Sequence, residues 1–180
     1  YYNYNQDSIS ISTRLIPDAN NNWLAEKRTV NNYNSFPFRL TEALFQQWDT
    51  AATTPVWVNL AKDSVKYNAN NLRDQFLSFE AAGSGWSPTR RVQYIYDIND
   101  KLIDYQIEVN NGGWINDQRF TYSYTGNLVS EQLGYAGAGS SWVQNKRKQF
   151  LYDANDNNIF MQDIFITYFR HLFVGENEFF

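Results

Sequence analysis

Five tryptophans each stand five residues ahead of a lysine or arginine and ten ahead of a tyrosine. The sets are Trp23/Arg28/Tyr33, Trp57/Lys62/Tyr67, Trp86/Arg91/Tyr96, Trp114/Arg119/Tyr124 and Trp142/Arg147/Tyr152. Two chemistries suit such residues. A row of indole rings stacks on sugar rings, and a row of cations grips carboxylates or phosphates. Each has a packing counterpart. A tryptophan buries a large apolar area against the next element, and a guanidinium stacks on a neighbouring aromatic ring. Recurrence at fixed phase favours packing for both, because a residue present in every unit does what every unit needs. Trp23, Trp57, Trp86, Trp114 and Trp142, with Tyr33, Tyr67, Tyr96, Tyr124 and Tyr152, are therefore read as structural anchors. Arg28, Lys62, Arg91, Arg119 and Arg147 are read as polar-face contacts.

Other reactive groups are isolated. Asp97-x-Asn99-x-Lys101 and Asp153-x-Asn155-x-Asn157 resemble the start of an oxygen-rich calcium loop. Calcium needs six to eight oxygens, including a bidentate carboxylate, and no glutamate follows at the required place. Asx turns explain both stretches. His171 is the single histidine and has no nucleophile motif around it. Asp104 with Glu108 could form a glycosidase-type carboxylate pair, but the other units lack an equivalent. Gly137 and Gly139 are not followed by the lysine of a phosphate loop. No catalytic residue, metal site or cofactor is expected.

The elements that carry these residues repeat. Successive tryptophans are 34, 29, 28 and 28 residues apart. After each tyrosine comes a polar turn, as in Asn68–Asn71, Asp97–Asp100 or Asp153–Asp156. An apolar residue then reopens the pattern at Leu40, Leu72, Leu102, Leu128 and Ile159. Five residues on stands Phe45, Leu77, Ile107, Leu133 or Ile164. Alternation places Val92, Tyr94 and Tyr96 on one face of a strand and Arg91, Gln93 and Ile95 on the other. Strand, Asx-rich turn and strand make a hairpin. Thr41–Trp48 looks helical alone, yet its alignment with Leu102–Val109 makes it a strand.

The units are residues 1–22 (partial), 23–56, 57–85, 86–113, 114–141 and 142–167, with an atypical cap at 168–180, all in one continuous domain. The predicted fold is all-β: an antiparallel meander of tandem hairpins, about eleven strands, forming a curled sheet, a shell or a barrel. One face is expected to carry aromatics and the other basic and hydroxyl residues. The irregular places are the insertion from Trp48 to Pro55 and the terminal cap.

Composition agrees. Tyr (13), Phe (13), Trp (6) and 22 asparagines favour strands and the turns between them. A net charge of −4 argues against a nucleic-acid partner. No apolar run reaches the ~20 residues of a membrane-spanning helix. With no cysteine, disulfides and thiolate metal sites are excluded. The chain starts at Tyr1, mid-repeat, so it is expected to be a processed chain or a piece of a larger chain or assembly.

Tyr94–Asn99, Tyr122–Leu128 and Phe150–Asn155 resemble the Y-x-Y-D-x-x-G-x-L core of YD (RHS-type) repeats. The added tryptophan and the longer period look like the variant found in secreted multidomain proteins of Bacteroidota-type bacteria. The turn glycine of that core is mostly Asn or Asp here. The resemblance implies an extracellular or cell-surface protein, a cargo of the type IX secretion route. It implies a non-catalytic scaffold or adhesive surface whose partner is another protein or a cell-surface glycan. A carbohydrate-binding module using the repeated aromatics is the alternative.

Overall fold

A computed structural model describes residues 2–5, 8–34, 39–51 and 53–165. Twelve strands follow one another: β1 (Tyr2–Asn5), β2 (Ser8–Pro17), β3 (Trp23–Tyr33), β4 (Leu40–Asp49), β5 (Val56–Tyr67), β6 (Arg73–Ala82), β7 (Gly85–Tyr96), β8 (Leu102–Asn110), β9 (Trp114–Thr125), β10 (Leu128–Ala138), β11 (Ser141–Tyr152) and β12 (Asn158–Phe165). They form a single antiparallel sheet in sequence order from β1 to β12. The sheet is open, so the barrel among the expected forms is ruled out. The strand count is twelve rather than about eleven. No helix occurs among the described residues, so none is long and apolar enough to cross a membrane. Thr41–Trp48 lies inside β4, where cross-strand pairing overrides local helix propensity. The expected cap at 168–180 lies outside the described residues.

Four of the hairpin turns use one device. In Asp18–Asn22, Asn68–Leu72, Asp97–Lys101 and Asp153–Asn157 the first residue's amide donates to the fifth residue's carbonyl, and the fourth residue's amide returns to the first carbonyl. The Asx side chain of the first residue accepts the amides of the third and fifth, as Asp97 Oδ1 does from Asn99 and Lys101 at 2.9 Å each. The fourth residue takes a left-handed backbone: Asn21, Asn71, Asp100 and Asp156 have φ of 63°, 60°, 62° and 63°. Asn and Asp tolerate that region better than other side chains. The calcium-like spacing is thus the spacing of an Asx turn.

Each Trp-led strand carries a β-bulge three residues after its tryptophan. The skipped residues are Glu26, Leu60, Thr89, Asp117 and Asn145. A second bulge in the following strand skips Thr41, Asp74, Ile103, Ser130 and Ile159, opposite the unit's tyrosine. Bulges bend the strand and increase its twist.

The first bulge settles the faces. Five residues apart in a regular strand, a tryptophan and its basic residue would point to opposite sides. The skipped residue restores the parity, so both point the same way. The expected division into an aromatic and a basic face is corrected: Trp shares its face with Arg and Lys, and Tyr and Phe dominate the other. On the latter, Val65, Phe76, Val92 and Ile107 are successive cross-strand partners. Val92 is 2% and Ile107 4% exposed. The next row runs Tyr94, Tyr105, Phe120 and Gly134. Its ring centroids are 5.2 Å and 5.9 Å apart. No second layer covers either face among the described residues, since strands contact almost only their sequence neighbours.

Candidate functional site

The Trp/Arg face is the most ordered array of charged and aromatic groups. Three of the basic residues reach across one strand to the next unit's tryptophan. Arg28 Cζ lies 4.3 Å from the Trp57 ring centroid, Lys62 Nζ 5.1 Å from Trp86, and Arg91 Cζ 4.6 Å from Trp114. Arg119 breaks the series and sits 5.7 Å from the ring of Tyr135, its direct cross-strand partner.

Acceptors for these cations come from two slots. One lies just past the second-strand bulge of the preceding hairpin: Glu42 meets Lys62 at 3.5 Å, Asp104 accepts from Arg119 Nε at 2.9 Å, and Glu131 accepts from Arg147 Nε at 2.6 Å. The other lies directly opposite in the same hairpin: Gln46 accepts from Arg28 Nε at 2.6 Å, and Glu108 takes two bonds from Arg91 at 2.6 and 2.7 Å. Opposite Lys62 and Arg119 stand Phe79 and Tyr135, each lying against the cation, whereas Ile164 stands opposite Arg147. Gln46 also donates to Asn59 Oδ1 at 2.7 Å, which satisfies both ends of a nearly buried amide. The hydrogen bonds to Glu108 and Asp104 hold the Arg91 and Arg119 guanidinium groups above their usual range, while burial lowers that of Arg28.

Sequence reading singled out Asp104 and Glu108 but not as acceptors for the cation row, and it missed Glu42, Gln46 and Glu131. Neither slot is acidic in every unit, and only pairing the two slots across units would have exposed them. The suggested pair Asp104 and Glu108 shares one face, but each carboxylate is engaged by its own arginine.

The tyrosines tie successive hairpins together. The Tyr67, Tyr124 and Tyr152 hydroxyls donate to the carbonyls of Leu40, Leu102 and Val129 at 2.9, 2.8 and 3.0 Å. Each acceptor stands opposite the preceding unit's tyrosine, Tyr33, Tyr96 or Tyr124. Arg39 and Lys101, one residue ahead of two of these acceptors, lie 5.5 Å and 5.3 Å from the rings of Tyr67 and Tyr124. Burial raises the hydroxyl pKa of Tyr96 and Tyr124. At the turn tips Asn70 donates to Asp100 at 2.7 Å, and Lys101 Nζ donates to the Gly126 carbonyl.

Trp23, Trp57, Trp86, Trp114 and Trp142 all lie on the Trp/Arg face near the start of β3, β5, β7, β9 and β11. Trp57, Trp86, Trp114 and Trp142 are half-buried; Trp23 is 68% exposed. The sixth tryptophan, Trp48, stands opposite Trp57 with ring centroids 5.0 Å apart. Beside it is an open hollow of about 330 Å³ lined by Gln47, Trp48, Asp49, Thr50, Val58 and Leu60. It falls at the irregular insertion after β4. Among the described residues no group of three or more His, Asp or Glu could hold a metal ion. His171 lies outside them.

No family model and no curated protein matches the chain. Among solved structures, the chain is similar to a DUF3836 family protein from Bacteroides vulgatus, at 12% identity and a TM-score of 0.35, over 58% of this chain and 97% of that one. A likeness of that size carries no functional argument.

Proposed function

We propose that the chain is a non-catalytic β-repeat module of an exported or cell-surface protein, acting as a scaffold or adhesive surface. The observation that carries this reading is the recurrence of one set of contacts at successive hairpin joints. Basic residue over tryptophan, acid against basic residue, and tyrosine hydroxyl on carbonyl link unit to unit and converge on no single centre. Among the described residues both faces of the sheet stay open to a partner, and a repeated face multiplies weak contacts by avidity. Resemblance to YD-type repeats supports the exported setting. Deleting one whole unit, residues 86–113, tests the module: a shorter sheet should still fold, with lower stability and weaker adhesion to whole cells. A deletion chain that is unfolded, or that adheres as well as the parent, sinks the reading.

The hollow at Trp48 favours carbohydrate binding as a second reading. Trp48 lines it together with Gln47, Asp49 and Thr50, whose side chains supply polar partners for hydroxyls. The repeat tryptophans suit this less, because Trp57, Trp86 and Trp114 already carry a cation from the preceding hairpin. Glycan-array binding that vanishes in Trp48→Ala, with the far-ultraviolet circular dichroism unchanged, would establish it. Signals equal in both proteins reject it.

A further inference from the structure

We infer that the outer edge of β2 from Arg14 to Pro17, together with the ring of Trp23, is a docking site for one more strand of this same repeat unit. Among the described residues, β1 pairs with β2 only up to Tyr2 opposite Ser12, and β2 runs on to Pro17 with β3 alone beside it. The corresponding stretch of β4 is flanked by β3 on one side and β5 on the other. Exposure follows that difference. Gln46 is 9% exposed in β4, whereas Leu15, at the same place in β2, is 39% exposed. Ile16 and Leu24 beside it are also exposed.

Three joints show what covers such a tryptophan. Trp57, Trp86 and Trp114 each carry the cation of a strand two places earlier in the sheet. For Trp23 on β3, that strand is the line of β1. Tyr4 pairs opposite Ile9 beside a bulge at Ser10, as Tyr33 pairs opposite Leu40 beside a bulge at Thr41. Tyr4 therefore holds the unit's tyrosine place. The unit's basic residue, five places earlier, falls in line with Leu15 and over Trp23. The occupant is thus a strand with the W-x4-[KR]-x4-Y spacing, collinear with β1, adding main-chain hydrogen bonds to β2 and a cation to Trp23. Arg14 and Pro17 make this a guarded edge rather than a sticky one.

The test extends the chain ahead of Tyr1 by the seven residues of Trp114–Phe120, which place the copied Arg119 in that position. A second version carries Arg119→Ala in the copied segment. Both chains, and the unextended one, are labelled with fluorotryptophan, and Trp23→Phe assigns the Trp23 resonance. The arginine extension should give Trp23 a new, docked resonance and raise the melting temperature. The alanine version should lower the docked-to-free ratio about two- to five-fold, the effect of one exposed cation–π contact. An unchanged Trp23 resonance overturns the site. Equal ratios for arginine and alanine overturn its chemistry. A docked signal in the unextended chain that grows with protein concentration assigns the edge to a second copy instead. None of these outcomes bears on the module reading, which rests on the joints within the chain.

Discussion

Arg91 lies directly opposite Glu108 across β7 and β8 and holds both carboxylate oxygens, at 2.6 and 2.7 Å. Its neighbour Arg119 also sits opposite a residue of its own hairpin, Tyr135, but takes its acid from behind, from Asp104. The cation row is constant in place while its counterions alternate between two slots. A side chain that large cannot take an acid and an aromatic in the same direction. When Phe79 or Tyr135 fills the opposite slot, the charge partner must come from the preceding hairpin. Arg28, Lys62, Arg91 and Arg119 each take one acceptor and at least one ring, and the sequence meets that pattern in two ways.

Moving the acid from one slot to the other should therefore be tolerated. Glu108→Gln alone should cost about 1–2 kcal/mol, since a bond between two charged, mostly covered groups becomes a weaker one. Adding Gln75→Glu fills the preceding slot beside Arg91 and should recover most of the loss. Urea midpoints of the wild type and the two variants check this. A double variant no more stable than the single one rejects the two-slot account.

Much of the fold was legible, and for a physical reason. Residue types that report on backbone geometry recur at every unit: Asx at the turns, and aromatic or β-branched residues in alternation. They gave the strands, the hairpins and the register of Trp23, Trp57, Trp86, Trp114 and Trp142. The bulges were not legible. Glu26, Leu60, Thr89, Asp117 and Asn145 have no chemistry in common, because a skipped residue is defined by the pairing of its neighbours and not by its own side chain. Missing them put Trp and Arg on opposite faces. Whether the sheet closes was hidden for a similar reason: twist accumulates over many bulges, none of which leaves a mark in composition.

Acid should loosen the turns with a definite sign. Backbone amides hold the carboxylates of Asp97, from Lys101 first, and of Asp18, from Asn22 first, below the ordinary 3.8; the Asn157 side chain and amide do the same for Asp153. A depressed folded-state value means that the stabilisation is complete above the unfolded value and fades as pH falls through the folded one. Stability should therefore decline at pH values below the ordinary aspartate range. Asn68 fills the same place in its turn without a charge. Asp97→Asn should keep the hairpin and flatten its share of the acid limb. A variant whose stability falls with pH as steeply as the wild type would contradict this.

The inter-hairpin tyrosine bonds should be individually modest and mutually similar. Tyr124→Phe and Tyr152→Phe each remove one neutral hydroxyl donor and leave a carbonyl short of a partner. Each should cost about 0.5–1.5 kcal/mol in chemical denaturation. The unfolding rate should carry most of the effect if the joints form late. Two variants differing by several-fold would mean that the joints are not equivalent.

Gly137 should be far less replaceable than Gly85. A Cβ on Gly137 would stand 1.8 Å from the Asn116 carbonyl oxygen, which is backbone and cannot turn aside. On Gly85 it would meet only the Ala82 oxygen, at 3.8 Å. The close approach occurs where the end of β10 passes the bulged part of β9, one residue before Asp117. Gly137→Ala must push the two strands apart there. It should cost about 1–3 kcal/mol, the range for forced overpacking, whereas Gly85→Ala should change stability little. Hydrogen exchange would place the damage: the amides around Asn116 and Gln118 should lose protection in Gly137→Ala and keep it in Gly85→Ala. The same displacement should shift the guanidinium of Arg119, one residue on from Gln118, and with it the salt bridge to Asp104. Loss of protection spread evenly over the whole sheet would instead mean that the strands yield as one body.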